Sequence, residues 1–161
     1  MKAVKFTKKN LLFFFASLLP LIFGYLSSLF TAPAITGWYT TLNKPSFNPP
    51  NWIFFPVWTT LFILMGISLF LILKKSASHY RRQAIFAFYI QLVLNVLWSF
   101  IFFYLNRPDL AFLEIIILSL AIIINIIYFW RLSRISAYLL MPYLAWVFFA
   151  TFLNYSICIL N

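Results

Sequence analysis

Polar residues recur at helical spacing inside one of the most apolar segments of the sequence, "AIFAFYIQLVLNVLWSFIFFYL". Gln91, Asn95 and Ser99 lie at i, i+4 and i+8, so one face of a helix would carry all three, with Trp98 beside that face. Inside a membrane, amide side chains hydrogen-bond to neighbouring helices and contribute about 1 kcal/mol each. The same side chains would also suit the polar part of a ligand cavity. The spacing alone leaves both functions open.

A second group with this spacing lies near the end of the chain, in "LLMPYLAWVFFATFLNYSI". Trp146, Ala150 and Asn154 again stand at i, i+4 and i+8, with Tyr143 one turn earlier. The small Ala150 between two larger side chains would leave a notch on this helix face. Pro142 removes one backbone hydrogen bond and is expected to kink the helix, and the kink would suit a structural role as well as a functional one.

The remaining reactive side chains do not form a recognisable catalytic or metal site. Asp109 and Glu114 are the only acids, and their spacing of five places them on different helix faces. His79 is the only histidine and lies in the polar stretch "KKSASHYRRQ", far from the single cysteine, Cys158. Hydrolysis by a paired acid or a Ser-His or Cys-His pair is therefore poorly supported, and no metal site or required cofactor is predicted.

The composition identifies the elements that must position these residues as membrane-spanning helices. Of 161 residues, 65% are hydrophobic and only 9% are charged, which excludes an ordinary water-soluble globule. About 20 apolar residues in helical form cross a bilayer, and the sequence contains five such segments. We predict an all-α integral membrane protein, a single domain over 1–161, with spans near 11–30, 53–73, 84–105, 110–130 and 135–159.

The first span also resembles a secretory signal peptide, because lysines precede it and "TAPA" follows it, with a cleavage point after Ala34. Its apolar run of about 20 residues is longer than the roughly 7–15 residues of a signal-peptide core. We therefore favour a retained span over a cleaved one.

The net charge of +10 is distributed unevenly between the two sides of the five predicted spans. Ten of the twelve lysines and arginines lie on the side of the N-terminus, and two lie on the other side. This is the positive-inside pattern, so the N-terminus is predicted to be cytoplasmic. The same pattern explains the basic charge without a nucleic-acid partner.

The segment "WYTTLNKPSFNPPNWIFFPVW", residues 38–58, holds three of the six tryptophans and four of the eight prolines. Taken locally, it is an aromatic anchor at the outer membrane surface or a spacer between helices. The orientation places Asn95 and Trp146 near mid-bilayer beneath it, and Trp58 one to two turns below the outer interface. We therefore predict a lid-like loop over 31–52 above a pocket, with helix-joining polar residues as the alternative.

The ordered motifs "WYTTLNKPSFNPPNWIFFPVWTTLF", "QLVLNVLWSFIFF" and "SAYLLMPYLAWVFFATFLNYSI" resemble the TspO/MBR family of tryptophan-rich sensory and translocator proteins. The resemblance covers nearly the whole chain. It implies a five-helix bundle in a bacterial cell membrane, commonly a homodimer, with a pocket under the first loop that binds porphyrins such as protoporphyrin IX. The ligand-binding residues that the resemblance implies are Trp38, Pro45, Trp58, Asn95, Trp98, Tyr143, Trp146 and Ala150.

Two positions depart from the family pattern. Phe47 stands where many members have tryptophan, which reduces the aromatic surface of the loop. The sterol motif of animal members needs a basic residue after its tyrosine, and none follows Tyr155, so sterol recognition is not supported. "RISAYLL" from Arg134 fits only the reversed, weak pattern.

The resemblance leaves three functions to compare. The first is a sensor or regulator that binds porphyrins and similar hydrophobic ligands without chemical change. The second is a light-dependent porphyrin-degrading enzyme in which Trp58 or Trp98 takes part in photo-oxidation. The third is a transporter of hydrophobic ligands, although the spans lack the paired ionisable relay of a proton-coupled carrier. We favour the first.

Overall fold

A computed structural model of the protein describes residues 8–161, and almost all of this part is helical. The helices are α1 (Lys8–Thr36), α2 (Trp38–Thr41), α3 (Asn51–Leu73), α4 (His79–Ser99), α5 (Pro108–Leu132) and α6 (Arg134–Leu160), and α4 continues into a π-helical turn at Phe100–Tyr104. Within the described part, α1, α3, α4, α5 and α6 are long and apolar enough to cross a membrane. The predicted five-helix membrane bundle is confirmed. The lysines at positions 2 and 5, which entered the charge comparison, lie outside the described residues.

Local residues set several helix ends. The Ser78 hydroxyl accepts a hydrogen bond from the Arg81 backbone N–H at 3.0 Å, and thereby caps the start of α4. Ser133 caps α6 in the same way. Pro108 occupies the first turn of α5, where a missing N–H costs nothing. Pro142 lies inside α6, which continues through it without interruption.

The outer connection is shorter than the loop predicted over 31–52. Helix α1 continues through Pro33 to Thr36, because a proline removes only its own backbone hydrogen bond and the next residues still bond backwards. The Gly37 N–H then donates to the Ala34 carbonyl at 3.1 Å and ends the helix. We call residues 37–50, which include α2, the outer loop.

The five long helices form a closed ring in which the order is α1, α3, α6, α5, α4, and α4 packs again on α1. The ring is tight where α1 meets α3, because a Cβ added at Gly66 would lie 2.6 Å from the Ser17 backbone. The core that joins the helices is apolar and includes Met65, Phe88 and Phe129, all fully buried. This packing holds the cavity walls in place.

The two ends of the bundle differ in chemistry. The outer loop, the turn at 105–107 and the end of α6 lie at one end, which we call the outer end. The loop 74–78 and the start of α6 lie at the other, which carries most cations of the described residues and which we call the basic end. Assignment of the basic end to the cytoplasm follows from the charge distribution and stays a prediction.

Candidate ligand-binding cavity

A cavity of about 460 Å³ lies in the outer half of the bundle, beneath the outer loop. Its walls come from α1, α3, α4 with its π-helical turn, and α6, and Tyr39 of the outer loop also lines it. Among the described residues α5 contributes no lining side chain. The cavity therefore occupies the space that four helices leave between them at the outer end.

Aromatic side chains make most of the cavity wall. Three tryptophans line it from three different helices, and each packs against a neighbouring phenylalanine that also lines it. The pairs, with their distances between ring centroids, are Trp58 with Phe62 (5.5 Å), Trp98 with Phe102 (5.3 Å) and Trp146 with Phe149 (5.4 Å). The wall therefore presents several π-faces that other side chains hold in fixed orientations.

Two hydrogen bonds between helices fix polar residues of the wall. The Asn95 Nδ2 donates to the Tyr143 hydroxyl at 3.2 Å, which joins α4 to α6 behind the cavity. The Trp98 Nε1 donates to the Asn154 Oδ1 at 3.1 Å, and the Asn154 Nδ2 donates to the Pro108 carbonyl at 2.8 Å. Asn95 and Asn154 therefore join helices and also line the cavity.

Two residues of the wall carry a buried polar group without a hydrogen-bond partner in the described part of the chain. The Trp146 Nε1 and the Ser27 hydroxyl are buried and have no hydrogen-bond partner among residues 8–161. Both residues line the cavity. An unpaired buried N–H or O–H is costly, so a bound molecule with acceptor atoms would gain from reaching these groups.

The structure brings five of the eight sequence-predicted residues to the cavity surface. These are Trp58, Asn95, Trp98, Trp146 and Ala150. They come from α3, α4 and α6. Whether they bind a ligand stays a prediction.

The other three predicted residues lie near the cavity without lining it. Trp38 packs edge-on against Phe102, with 5.8 Å between ring centroids. Pro45 lies in the outer loop, where its carbonyl accepts a hydrogen bond from the Asn48 N–H at 3.0 Å. Tyr143 is fully buried behind Asn95. Any effect of these three side chains on a ligand would therefore act through the residues they support.

Several lining residues were not predicted from the sequence. They are mainly aromatic or apolar and include Tyr39, Phe54, Phe103, Phe149 and Leu153. In a membrane helix, side chains that face lipid are as apolar as side chains that face a cavity, so periodicity does not separate them. Tyr39 could have been predicted to line the cavity, because it follows Trp38 in the motif on which the resemblance rests.

The outer loop is held over the cavity by contacts with distant parts of the chain. Asn43 and Asn161 form two hydrogen bonds, from the Asn43 N–H to the Asn161 Oδ1 at 2.9 Å and from the Asn161 Nδ2 to the Asn43 carbonyl at 3.0 Å. Phe47 stacks on Phe152 of α6 at 5.1 Å between centroids. The loop is therefore fixed to the outer end of α6.

Tyr39 links the outer loop to the cavity. Its hydroxyl donates to the Asn48 Oδ1 at 2.7 Å, and the side chain is almost completely buried. Burial raises the pKa of Tyr39 to about 12, although the bond to Asn48 lowers it. The Lys44 ammonium lies 4.9 Å from the centroid of the Tyr39 ring. The loop thus places a cation next to a residue of the cavity wall.

The cavity opens towards the membrane between α1 and α3. Its exposed lining residues all belong to these two helices, and Tyr25 and Phe55 are 66% and 80% exposed. Below this opening Gly24 and Phe62 are in close contact, since a Cβ at Gly24 would lie 2.5 Å from the Phe62 ring. A hydrophobic molecule in the outer half of the bilayer would therefore meet the opening directly.

The two acids do not form a catalytic pair. Asp109 is exposed and forms a bidentate ion pair with Arg107, with distances of 2.6 and 2.9 Å. Glu114 is buried in α5, and neither carboxyl oxygen has a hydrogen-bond partner within residues 8–161. One acid is thus engaged at the surface while the other lies in the interior.

Fold and site together define a multi-pass integral membrane protein with an aromatic cavity beneath its outer loop. Residues 16–160 match the TspO/MBR family, and the chain belongs to that family. It is 41% identical over 153 residues to a tryptophan-rich protein TspO of Archaeoglobus fulgidus, with 94% of this chain and 99% of the relative covered.

Other relatives carry names that refer to function. The translocator protein of Homo sapiens is 36% identical over 122 residues, with 74% of this chain and 72% of the relative covered. A tryptophan-rich sensory protein of Cereibacter sphaeroides is 34% identical over 137 residues, with 81% and 85% covered.

Proposed function

We propose that this protein binds porphyrins such as protoporphyrin IX, and similar flat hydrophobic molecules, in the cavity beneath the outer loop. The observation that carries the proposal is the set of three tryptophan–phenylalanine pairs around one cavity. A porphyrin is a large π-system, and aromatic faces held in place bind such a surface at little entropic cost.

The size and polarity of the cavity support the same ligand class. A volume of about 460 Å³ lies within the roughly 300–1,000 Å³ of sites for drug-sized ligands. Few polar atoms face it. The Trp146 Nε1 and the Ser27 hydroxyl belong to two lining residues and have no hydrogen-bond partner among residues 8–161. These donors suit the ring nitrogens or a carboxylate of a porphyrin better than they suit a pure hydrocarbon.

The charged groups of a porphyrin would find a partner at the outer end. Porphyrins of the protoporphyrin type carry two carboxylates, and Lys44 lies against Tyr39 at the cavity wall. A macrocycle in the cavity with its carboxylates towards the outer loop would keep the charges near water and near a cation.

We further propose that binding serves a sensory or regulatory function in tetrapyrrole or stress physiology. The name of the Cereibacter sphaeroides relative refers to sensing. The outer loop provides a way to report occupancy, because Tyr39 contacts the cavity while Asn43 bonds to Asn161. A homodimer is part of the same proposal and is checked by light scattering of the purified protein in detergent.

An equilibrium titration tests the proposal. Protein in lipid nanodiscs is titrated with protoporphyrin IX in the dark, and the change in the porphyrin absorbance and the quenching of tryptophan fluorescence are followed. We expect saturable binding with one porphyrin per chain. The dimethyl ester, which lacks both negative charges, should bind more weakly, and a Lys44→Gln variant should bind the two forms alike. A signal that rises without saturation in both forms would contradict the proposal.

Illumination distinguishes binding from degradation. The same complex is illuminated, and loss of the porphyrin spectrum is compared between the wild type and a Trp58→Phe, Trp98→Phe double variant. A rate that is equal in the two proteins supports binding alone, whereas a faster loss in the wild type assigns photo-oxidation to these tryptophans.

Vesicle uptake distinguishes binding from transport, the function named in the translocator protein of Homo sapiens. A binding protein should retain porphyrin in proportion to the protein present. Continued accumulation inside sealed vesicles beyond that amount would instead assign a transport function.

A further inference from the structure

The cations of the basic end have no side-chain carboxylate within the protein to neutralise them. The whole sequence contains two acids against twelve lysines and arginines. Asp109 pairs with Arg107 at the outer end, and Glu114 is buried in the outer half of α5. The charges at the basic end must therefore be balanced by groups from outside the chain.

One of these cations stands in a built groove between α4 and α5. An open depression of about 330 Å³ is lined by Tyr80 and Gln83 of α4 and by Ile124, Ile127, Tyr128 and Arg131 of α5. We call it the α4–α5 groove. The Arg131 guanidinium lies 5.6 Å from the centroid of the Tyr80 ring, and the rings of Tyr80 and Tyr128 are 5.2 Å apart. Tyr80 thus lies against the arginine at one side of the groove, and Tyr128 packs on Tyr80.

The groove changes from polar to apolar along its length. Arg131 is in the last turn of α5, and Ile127 and Ile124 lie four and seven residues earlier on the same helix face. At 1.5 Å per residue, the two isoleucines lie about 6–10 Å deeper in the membrane than the arginine. Both are about half exposed, at 51% and 50%. A ligand that fits this gradient has a negative head and a hydrocarbon chain.

We propose that the α4–α5 groove binds the phosphate of an anionic phospholipid. Arg131 supplies the charge, Gln83 and the tyrosine hydroxyls supply further donors, and the acyl chain lies along Ile127 and Ile124. Basic pockets between transmembrane helices at this depth suit such headgroups, and a planar guanidinium matches two phosphate oxygens at once. The inference does not depend on the ligand of the outer cavity.

A neighbouring arginine provides the matched control. Arg134 is exposed at the same end of the bundle and lies against the ring of Trp130, outside the groove. If attraction at the basic end were diffuse, removal of either charge would weaken lipid binding equally. If the groove is a site, only Arg131 should matter.

Native mass spectrometry with phosphatidylglycerol and phosphatidylcholine tests this inference on the full chain in neutral detergent. We expect the wild type to retain one phosphatidylglycerol in preference to phosphatidylcholine. Loss of one cation is expected to weaken retention about fivefold in Arg131→Gln, while Arg134→Gln keeps the wild-type value. Equal retention by the wild type and Arg131→Gln, or equal losses in the two arginine variants, would overturn the site.

A second pair of variants keeps the net charge unchanged. Ile127→Trp should obstruct the acyl-chain path and lower retention, whereas Ile117→Trp adds the same ring to an exposed position of α5 outside the groove. These variants decide the question if Arg131→Gln does not fold. Competition by glycerol 3-phosphate or inorganic phosphate at the concentration of the lipid would overturn a lipid site, because it would show that the headgroup alone is recognised.

Discussion

The indole N–H of Trp98 donates to the Asn154 Oδ1 at 3.1 Å and joins α4 to α6 across the wall of the aromatic cavity. Asn154 also donates to the Pro108 carbonyl at 2.8 Å, so one buried amide connects three helices. The bond fixes the orientation of the Trp98 ring, which stacks on Phe102 and lines the cavity. The shape of the binding surface thus depends on a residue that also stabilises the bundle.

Replacement of Asn154 by alanine should affect both stability and binding. It leaves the Trp98 N–H and the Pro108 carbonyl without their partner, and hydrogen bonds of this kind in membranes contribute about 0.6–1.7 kcal/mol. We expect a lower midpoint of thermal unfolding and weaker porphyrin binding. Ser156→Ala is the control, because the Ser156 hydroxyl bonds only within α6, to the Phe152 carbonyl. Equal binding by Asn154→Ala and the control would contradict the positioning of Trp98 by Asn154.

Gly24→Ala should narrow the cavity opening. The added Cβ would lie 2.5 Å from the Phe62 ring, which must move, and Phe62 stacks on Trp58. Because Phe62 and Trp58 both line the cavity, their displacement should weaken porphyrin binding by about tenfold. The measurement is a titration in nanodiscs.

Gly66→Ala provides the contrast to Gly24→Ala. Its new methyl meets the Ser17 backbone at 2.6 Å, and neither Gly66 nor Ser17 lines the cavity, so it should lower thermal stability in preference to affinity. For each variant, the loss of porphyrin affinity is compared with the loss of thermal stability. If this ratio were the same for Gly24→Ala and Gly66→Ala, Gly24 would have no specific role at the opening.

Asn43→Ala should loosen the outer loop. It removes the Asn43 Nδ2 donor to the Leu160 carbonyl, whereas the two bonds to Asn161 use the Asn43 backbone and remain. We expect bound porphyrin to dissociate faster, with little change in the association rate, because a closed loop mainly retains the ligand. Stopped-flow displacement measures this rate. Ser46→Ala, at an exposed position of the same loop, should behave as the wild type, and an unchanged rate in Asn43→Ala would show that the Asn43 side chain does not help to retain the ligand.

The burial of Tyr39 should give the outer loop a dependence on alkaline pH. Burial raises the pKa of Tyr39 from 10.0 to about 12, so the folded state favours the neutral phenol. The stabilisation is fully present below about pH 10 and is lost as the pH rises from about 10 to about 12. The midpoint temperature of thermal unfolding should therefore fall more steeply over this pH range in the wild type than in Tyr39→Phe. Parallel curves in the two proteins would contradict the assignment.

Much of the fold could be predicted from the sequence because a bilayer restricts the available structures. Five apolar segments of sufficient length leave few alternatives to a helical bundle. The end of α1 was predicted too early. A proline usually ends a helix, but α1 continues through Pro33 to Thr36. The bonds between Asn43 and Asn161 join positions 118 residues apart, and no local pattern indicates such a contact.

The candidate site was predicted best where polarity stood out from its surroundings. Asn95 and Asn154 were visible because amides are rare in apolar segments, and both line the cavity. Phe102 and Phe103 were not visible, because the run "FIFFY" has no contrast between helix faces and continues as a π-helical turn. Gln91 shares the helix face of Asn95 but is buried and does not line the cavity. Periodicity predicts which face of a helix a residue lies on, but not whether the cavity extends to that turn of the helix.

A titration of two tryptophan variants with protoporphyrin IX tests the proposed binding site most directly. Ala150→Trp places a large ring inside the cavity, whereas Ala145→Trp places the same ring at an exposed position of α6 that does not line it. With both proteins folded, we predict that Ala150→Trp weakens binding by at least about tenfold and that Ala145→Trp binds as the wild type does. Wild-type affinity in folded Ala150→Trp would contradict the proposal and place the porphyrin site elsewhere.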